Sequence, residues 1–144
     1  MTALATPYAQ TLFEGGVQVK HPGALLANAN IPGGTLACSD SGVIKPYTGA
    51  LVAAGARFLG FPVQTIKETT GSNYTPPAST PFLFRRGCPF ICAGKAGDLP
   101  VAANIGGPVY MQDNFTCQAT LTAGYTAATL IEVRTDGNFV VQLP

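Results

Sequence analysis

Glycine and proline interrupt this 144-residue chain so often that they limit the length of every regular element it can form. The sequence contains 17 Gly and 12 Pro, and the apolar runs between them are short. Because glycine weakens helix interiors and proline breaks them, the sequence predicts no long helix. We expect about seven to nine short strands at roughly ten-residue spacing. This pattern predicts an all-β fold, either a small β-barrel or a sandwich.

The last two apolar runs flank Thr135-Asp136-Gly137 and have the composition and turn residues of a β-hairpin. A two-residue turn would mix apolar and charged side chains on both faces of the ribbon. A three-residue loop with its glycine in the left-handed conformation places Val133 opposite Phe139 and Ile131 opposite Val141. Since this register gives one clean apolar face, the sequence predicts the three-residue loop.

Arg57–Ile66 is the first long strand candidate upstream of this hairpin. Strand alternation predicts that Leu59, Phe61 and Val63 lie on one face. Pro62 has no N–H to donate to a ladder, so it indicates an edge position or a bulge.

The segment Thr69–Pro81 (TTGSNYTPPASTP) is a loop by composition. It has no charged residue, two adjacent prolines and several hydroxyl groups. An irregular stretch of this length in a small domain is more often functional or interfacial than incidental. The following run, Phe82–Cys92, predicts two short strand pieces.

Residues 1–22 are predicted to form an extended N-terminal arm, and residues 23–144 a single β domain. Two X-Pro dipeptides in the arm favour extended backbone. The arm carries Tyr8, Leu12 and Phe13 with few charges, which suits docking across a neighbouring subunit or on a shell beneath it. A frayed chain end is the alternative interpretation, and the sequence does not choose between the two.

Charged side chains are scarce in this sequence. They make up 10% of the residues, against about 25% in typical domains, while 47% are hydrophobic. Eight basic and seven acidic residues give a net charge of +1, so we expect no nucleic-acid or membrane partner. Few charges near neutrality favour a protein whose surface is covered by partners, with a sparingly soluble monomer as the alternative.

No arrangement of residues in the sequence is typical of catalysis. The single histidine, His21, has no Ser- or Cys-centred motif beside it, and the carboxylates occur singly. Cys88 and Cys92 have the wrong spacing for zinc, so the four cysteines are predicted to be small buried residues. No signal peptide and no membrane-spanning run is visible. We therefore expect a non-enzymatic protein without a cofactor or metal.

The C-terminal half of the chain carries an ordered set of motifs. Gly107–Asp113 (GPVYMQD) is followed by a Thr-rich segment, an Ala-rich approach and a closing hairpin that ends in Val-Gln-Leu. Upstream, Arg57–Val63 (RFLGFPV) and Phe84–Phe90 (FRRGCPF) occur in the matching order. Over Thr35–Leu143 the sequence resembles the small capsid decoration (head cement) proteins of tailed bacteriophages.

This resemblance implies a structural virion protein that is present in the host cytoplasm during assembly. Such a protein decorates the exterior of the mature capsid and cements it by bridging subunits of the major capsid protein. The resemblance implies a homotrimer, with a homodimer as the alternative. The candidate interface residues are Tyr8, Leu12, Phe13, Tyr74, Arg85 and Arg86.

The two arginines among these candidates have an alternative interpretation. Arg85 and Arg86 suit bidentate binding of a partner's carboxylates, but they also fit a solvated strand end.

The function has an alternative too: a β-sandwich binding module, such as a carbohydrate- or receptor-contacting head fibre domain. That module would display an exposed aromatic platform made from tyrosines, with the candidates Tyr47, Tyr74, Tyr110 and Tyr125.

Overall fold

The structure is a computed structural model that describes residues 3–10 and 16–144. The helices of the described residues are α1 (Gly49–Ala53) and a 3₁₀ helix (Ala102–Asn104). The strands are β1 (Val17–His21), β2 (Ala24–Leu25), β3 (Asn30–Ile31), β4 (Ala37–Asp40), β5 (Val43–Pro46), β6 (Arg57–Gly60), β7 (Ile66–Lys67), β8 (Phe82–Arg86), β9 (Pro89–Gly94), β10 (Pro108–Met111), β11 (Thr116–Gln118), β12 (Ala127–Val133) and β13 (Phe139–Gln142). The predicted all-β class is confirmed. The thirteen strands of the described residues exceed the expected seven to nine, and three of them, β2, β3 and β7, contain only two residues.

Five of the strands close into a barrel in the order β10-β11-β9-β13-β12. All neighbouring pairs are antiparallel except β11 with β9, which is parallel. Alternate side chains of these strands point inward, and Phe90, Val109, Leu130 and Val141 are fully buried there. The predicted small barrel is therefore present, and its interior is a packed apolar core.

A separate four-stranded sheet, in the order β2-β5-β4-β6, is covered on both faces. Cys38 and Phe58 project into the same apolar cluster as the barrel interior, which we call the barrel cluster. Ala37 and Leu59 project the other way, into a second cluster that also holds Phe84. Because a buried charge without a partner is costly, a sheet covered on both faces leaves few positions for charged residues.

The loop of the predicted hairpin is confirmed by the pairing of β12 with β13. Val133 lies opposite Phe139, and Gly137 has the left-handed conformation, with a φ of 87°. Asp136 accepts a hydrogen bond of 3.0 Å from the backbone N–H of Asn138, which is a common role for aspartate in turns. The loop thus has the three residues that the sequence predicts.

The predicted pairing of Ile131 with Val141 is wrong. The ladder shifts between Leu130 and Glu132, so Leu130 faces Val141 and Ile131 lies in a β-bulge. Leu130 is fully buried, whereas Ile131 is 44% exposed. The backbone of Leu130 also bonds the two glycines that precede β10, and these bonds fix it as the inward residue.

The N-terminal segment lies against the body of its own chain. Residues 3–10 have no regular secondary structure and are held by hydrogen bonds between side-chain amides and main-chain groups. The side-chain amide of Asn114 bonds both backbone groups of Leu4, and that of Gln10 bonds both backbone groups of Ile91. The last part of the predicted arm is β1, which pairs with β8.

The path of the chain after β6 depends on Gly60, and this dependence can be tested. Gly60 has a φ of 103°, and a Cβ there would lie 2.0 Å from the carbonyl oxygen of Arg85. Gly42 is a matched control, because its φ is 83° but a Cβ would meet no atom within 4 Å. We expect Gly42→Ala to lower the free energy of unfolding by about 1–2 kcal/mol through backbone strain alone. We expect Gly60→Ala to lower it by at least about 4 kcal/mol, because it adds a clash.

Chemical denaturation of the two variants and of the unmodified protein measures both losses. Equal losses for Gly42→Ala and Gly60→Ala would contradict the close approach of β8 to Gly60.

Candidate interaction surface

An open groove of about 430 Å³ lies beside β8. Pro62–Ile66 and Pro81–Leu83 form most of its lining, and Gln18 and Arg85 contribute the rest. Val63 and Leu83 are large apolar residues, yet they are 64% and 44% exposed. We call this feature the β8 groove.

The β8 groove exists because the chain turns at the end of β6. The predicted long strand stops at Gly60, and Phe61 then forms a single bridge in which it exchanges both backbone hydrogen bonds with Arg85, at 3.0 and 2.8 Å. The prediction that Leu59, Phe61 and Val63 share a face is wrong. Leu59 belongs to the second cluster, Phe61 to the barrel cluster, and Val63 is exposed, because the left-handed Gly60 interrupts the alternation.

A smaller groove of about 250 Å³ also has Val63 in its lining. Tyr8 and Phe61 line it as well, and the ring of Tyr8 lies 4.5 Å from that of Phe115, centroid to centroid. Because both grooves share Val63, they meet at this exposed apolar side chain.

Arg85 carries the only formal charge among the described residues that line the β8 groove. The groove therefore combines apolar side chains with one half-buried guanidinium group. This lining suits a protein surface that presents apolar side chains.

Arg86, the other predicted arginine, is bound within its own chain. Its Nε donates to the carbonyl oxygen of Pro144 at 3.1 Å, and its Nη1 donates to that of Phe58 at 2.9 Å. Its guanidinium carbon lies 5.1 Å from the centroid of the Phe58 ring. These contacts give Arg86 a structural role, because they join β8 to β6 and to the residue that follows the barrel.

Tyr74, another of the predicted interface residues, lies in the loop Thr69–Pro81. Tyr74 is 49% exposed and exchanges backbone hydrogen bonds of 2.7 and 2.9 Å with Leu25. Its ring meets that of Phe82 edge-on at 6.4 Å, which places it next to the lining of the β8 groove. Leu12 and Phe13 lie outside the described residues.

Glu68 anchors the uncharged loop at its first turn. This carboxylate is 4% exposed and accepts hydrogen bonds from the backbone N–H groups of Asn28, Thr70 and Gly71, and from the Thr70 hydroxyl. These bonds, above all that of the Thr70 hydroxyl, lower the pKa of Glu68 to about 2. The charged form of Glu68 therefore stabilises the loop that carries Tyr74.

Sequence reasoning missed the roles of Val63, Leu83 and Glu68. The signal for Val63 was Pro62, two residues after Gly60, because a proline without an N–H to donate does not continue a strand ladder. The signal for Glu68 was a carboxylate followed by two threonines and a glycine, whose N–H and O–H groups are suitable donors. Leu83 had no such signal, because its exposure depends on which distant segment covers β8.

His21 contacts Ser39, but the geometry is not that of a base paired with a nucleophile. Nδ1 of His21 accepts a hydrogen bond of 3.0 Å from the backbone N–H of Gly23. In the neutral ring, Nε2 therefore carries the proton and donates to the Ser39 hydroxyl oxygen, 3.0 Å away. A general base would instead need to accept the proton of that hydroxyl.

The four cysteines are buried thiols without disulfide bonds, at Cys38, Cys88, Cys92 and Cys117. Burial raises the pKa of the Cys38 thiol to about 11, so it stays protonated near neutral pH. The described residues contain no group of three or more His, Cys, Asp or Glu side chains placed to hold a metal ion. None of the described helices is long and apolar enough to span a membrane.

The tyrosines do not form a shared exposed platform in the described residues. Tyr47 is 1% exposed, and its hydroxyl donates to the carbonyl oxygen of Met111 at 2.9 Å. Tyr125 is half-buried and packs on Gly49 at the start of α1. Tyr74 is the most exposed of the tyrosines predicted for such a platform.

Comparisons of the chain with protein-family models, with curated proteins and with solved structures found no match. The β8 groove and the loop beside it therefore have to be interpreted from their own geometry.

Replacing Glu68 tests whether its charge holds the loop. The folded pKa of about 2 lies below the ordinary value of 4.5, so the stabilisation is complete above pH 4.5 and is lost as the pH falls toward 2. We expect Glu68→Gln to lower the free energy of unfolding at pH 7 and to reduce its dependence on pH in this acid range. Denaturation of both proteins across the range measures the difference, and parallel curves would refute the role of the charge.

His21 gives a second pH dependence at higher pH. Burial lowers its pKa below the ordinary value of 6.5, and protonation at Nδ1 would remove the hydrogen bond from Gly23. Below about pH 6.5 the unfolded chain binds more protons than the folded one, so stability falls with falling pH. We expect the thermal unfolding temperature to decrease from about pH 7 to about pH 5. We expect His21→Gln to reduce this dependence of the unfolding temperature on pH. An equal slope in the variant would assign the effect to other groups.

Proposed function

We propose that this protein is a structural component of a bacteriophage virion. It decorates the exterior of the mature capsid and cements it by bridging subunits of the major capsid protein. It acts as a homotrimer, with a homodimer as the alternative, and it passes through the host cytoplasm during assembly. It performs no catalysis and needs no cofactor.

The observation that carries this proposal is the apolar surface around Val63. Its two grooves lie on a chain with only 10% charged residues and a net charge of +1. Contiguous exposed apolar surface on a soluble chain marks sites of protein association. The ordered motifs of the sequence, including Gly107–Asp113, connect that association to capsid decoration proteins by resemblance.

The mechanism follows from linkage between binding and assembly. A protein that binds the expanded shell but not its separated subunits stabilises the shell by its binding free energy. Many copies on one particle add their contributions, so a modest contact at each β8 groove is sufficient. Leu83 and Val63 would bury apolar area in that contact.

The alternative, a binding module for glycans or receptors, has less geometric support. Flat sugar rings are held on exposed aromatic side chains, yet Tyr47 is buried and Tyr125 packs against α1. Tyr74 alone is not a platform. Binding of the purified protein to glycans, without affinity for capsids, would favour this alternative.

Replacing Val63 by aspartate tests the proposed contact with the shell. Because Val63 is 64% exposed, we expect Val63→Asp to leave the stability within about 0.5 kcal/mol of the unmodified protein. Its affinity for expanded capsids of the phage that encodes it should fall at least about tenfold, because the charge would be desolvated on binding. Cosedimentation with those capsids measures the affinity.

Leu121→Asp is the matched control, since Leu121 is 65% exposed and lies outside both grooves. It should pellet with capsids as well as the unmodified protein does. An unmodified protein that never pellets with expanded capsids would refute the proposed function. Equal loss for both aspartate variants would refute the assignment of the contact to the β8 groove.

A further inference from the structure

β1 is an edge strand. The hydrogen bonds of β8 determine which backbone groups of β1 face outward. β8 bonds Phe61 on one side, where Arg85 both donates and accepts. The N–H and C=O groups of Arg85 therefore point away from β1. Arg85 lies opposite Gln18 of β1. In an antiparallel pair these orientations alternate along each strand, so Gln18 and Lys20 turn their N–H and C=O groups to the outside.

These outward groups have no strand partner among the described residues, since β1 pairs with β8 alone. Gln18 and Lys20 are also exposed. An edge strand with free N–H and C=O groups is a template for pairing with another chain.

We propose that β1 pairs antiparallel with β1 of a second copy of this chain, about a two-fold axis at Val19. Val19 then lies opposite Val19 of the second copy, and Gln18 of each copy lies opposite Lys20 of the other. Both of these Gln–Lys pairs are hydrogen-bonded pairs, and each exchanges two N–H···O=C bonds. The pairing uses every outward group within the strand.

The boundaries of β1 and its charge select this register. Centring the axis on Gln18 would pair Lys20 with Gly16, but Gly16 has a φ of 86° and cannot continue a strand. Centring it on Lys20 would place two lysines opposite each other and would need an N–H from Pro22, which has none. The register centred on Val19 avoids both problems.

This register also covers exposed apolar surface. Val17 is 60% exposed and would lie beside His21 of the second copy. A close contact between two apolar Val19 side chains at the axis adds cross-strand packing on the same face.

The two-fold axis of such a pairing is perpendicular to the sheet, so both copies present the same face to one side. Gln18 belongs to the lining of the β8 groove, so both grooves open on that side. The self-pairing itself does not depend on the proposed function. If the capsid proposal holds, the pair presents two β8 grooves to the shell and binds it bivalently. The protein then acts as a homodimer and not as a homotrimer.

Gln18→Pro tests the pairing, because it removes an outward N–H that the isolated chain does not use. We expect a concentration-dependent monomer–dimer equilibrium for the unmodified protein in analytical ultracentrifugation without capsids. The dimer of Gln18→Pro should dissociate at least about tenfold more readily, because each copy loses the bond from its Gln18 N–H to the carbonyl oxygen of Lys20 in the other copy. Gln18→Thr is the control, since it keeps the N–H and should dimerise like the unmodified protein.

Amide hydrogen exchange of the unmodified protein gives a measurement that is independent of any variant. Protection of the Gln18 and Lys20 amides should increase with protein concentration, while the already bonded Val19 amide should change less. Protection independent of concentration would overturn the proposal even if Gln18→Pro fails to fold. A protein that stays monomeric, a trimer, or a dimer that Gln18→Pro leaves intact would also overturn it. Because no capsid is present, these failures are separate from failure of the capsid proposal.

Discussion

Both faces of the β2-β5-β4-β6 sheet are buried, and the other elements are arranged to keep them so. One face adds Cys38 and Phe58 to the barrel cluster, while the other supports a second cluster around Phe84. Removal of apolar surface from water is the main favourable contribution to folding. The three charged residues of this sheet, Asp40, Lys45 and Arg57, lie at strand ends or next to them, where a charge can stay partly exposed. Among the described residues, the ion pair Lys45–Asp40 joins β5 to β4 beside their connecting turn, and Arg134–Asp136 lies in the loop between β12 and β13.

The same constraint explains why the candidate surface lies at β8. This strand contributes Phe84 to the second cluster, and the turn at Gly60 brings Phe61 to pair with Arg85 of β8. The turn sends Pro62–Ile66 away from β8 and leaves the groove between them. On its other side β8 is paired with β1, whose outer edge is open among the described residues. One strand therefore borders both the apolar groove and the edge at which we place self-association.

Local pattern and turn chemistry were sufficient for several features of the fold. The three-residue loop at Gly137 was predictable, because alternation on two short strands allows one register with a clean apolar face. The prediction failed farther along the same ribbon, where Leu130 rather than Ile131 points inward. Contacts with the glycines before β10 decide that choice. Such contacts join segments that are far apart in sequence, and local alternation carries no information about them.

The sequence by itself determined the all-β class, the short strands and the low charge, because these depend on glycine, proline and composition. It also marked Thr69–Pro81 as an irregular loop. The tertiary structure alone decided which side chains become surface: Val63 is exposed and Phe61 is buried, although both were expected on one face. It also assigned Arg86 to internal contacts and Arg85 to the groove. The physical reason is that burial depends on which distant segment packs against a strand, whereas turn formation depends on neighbouring residues.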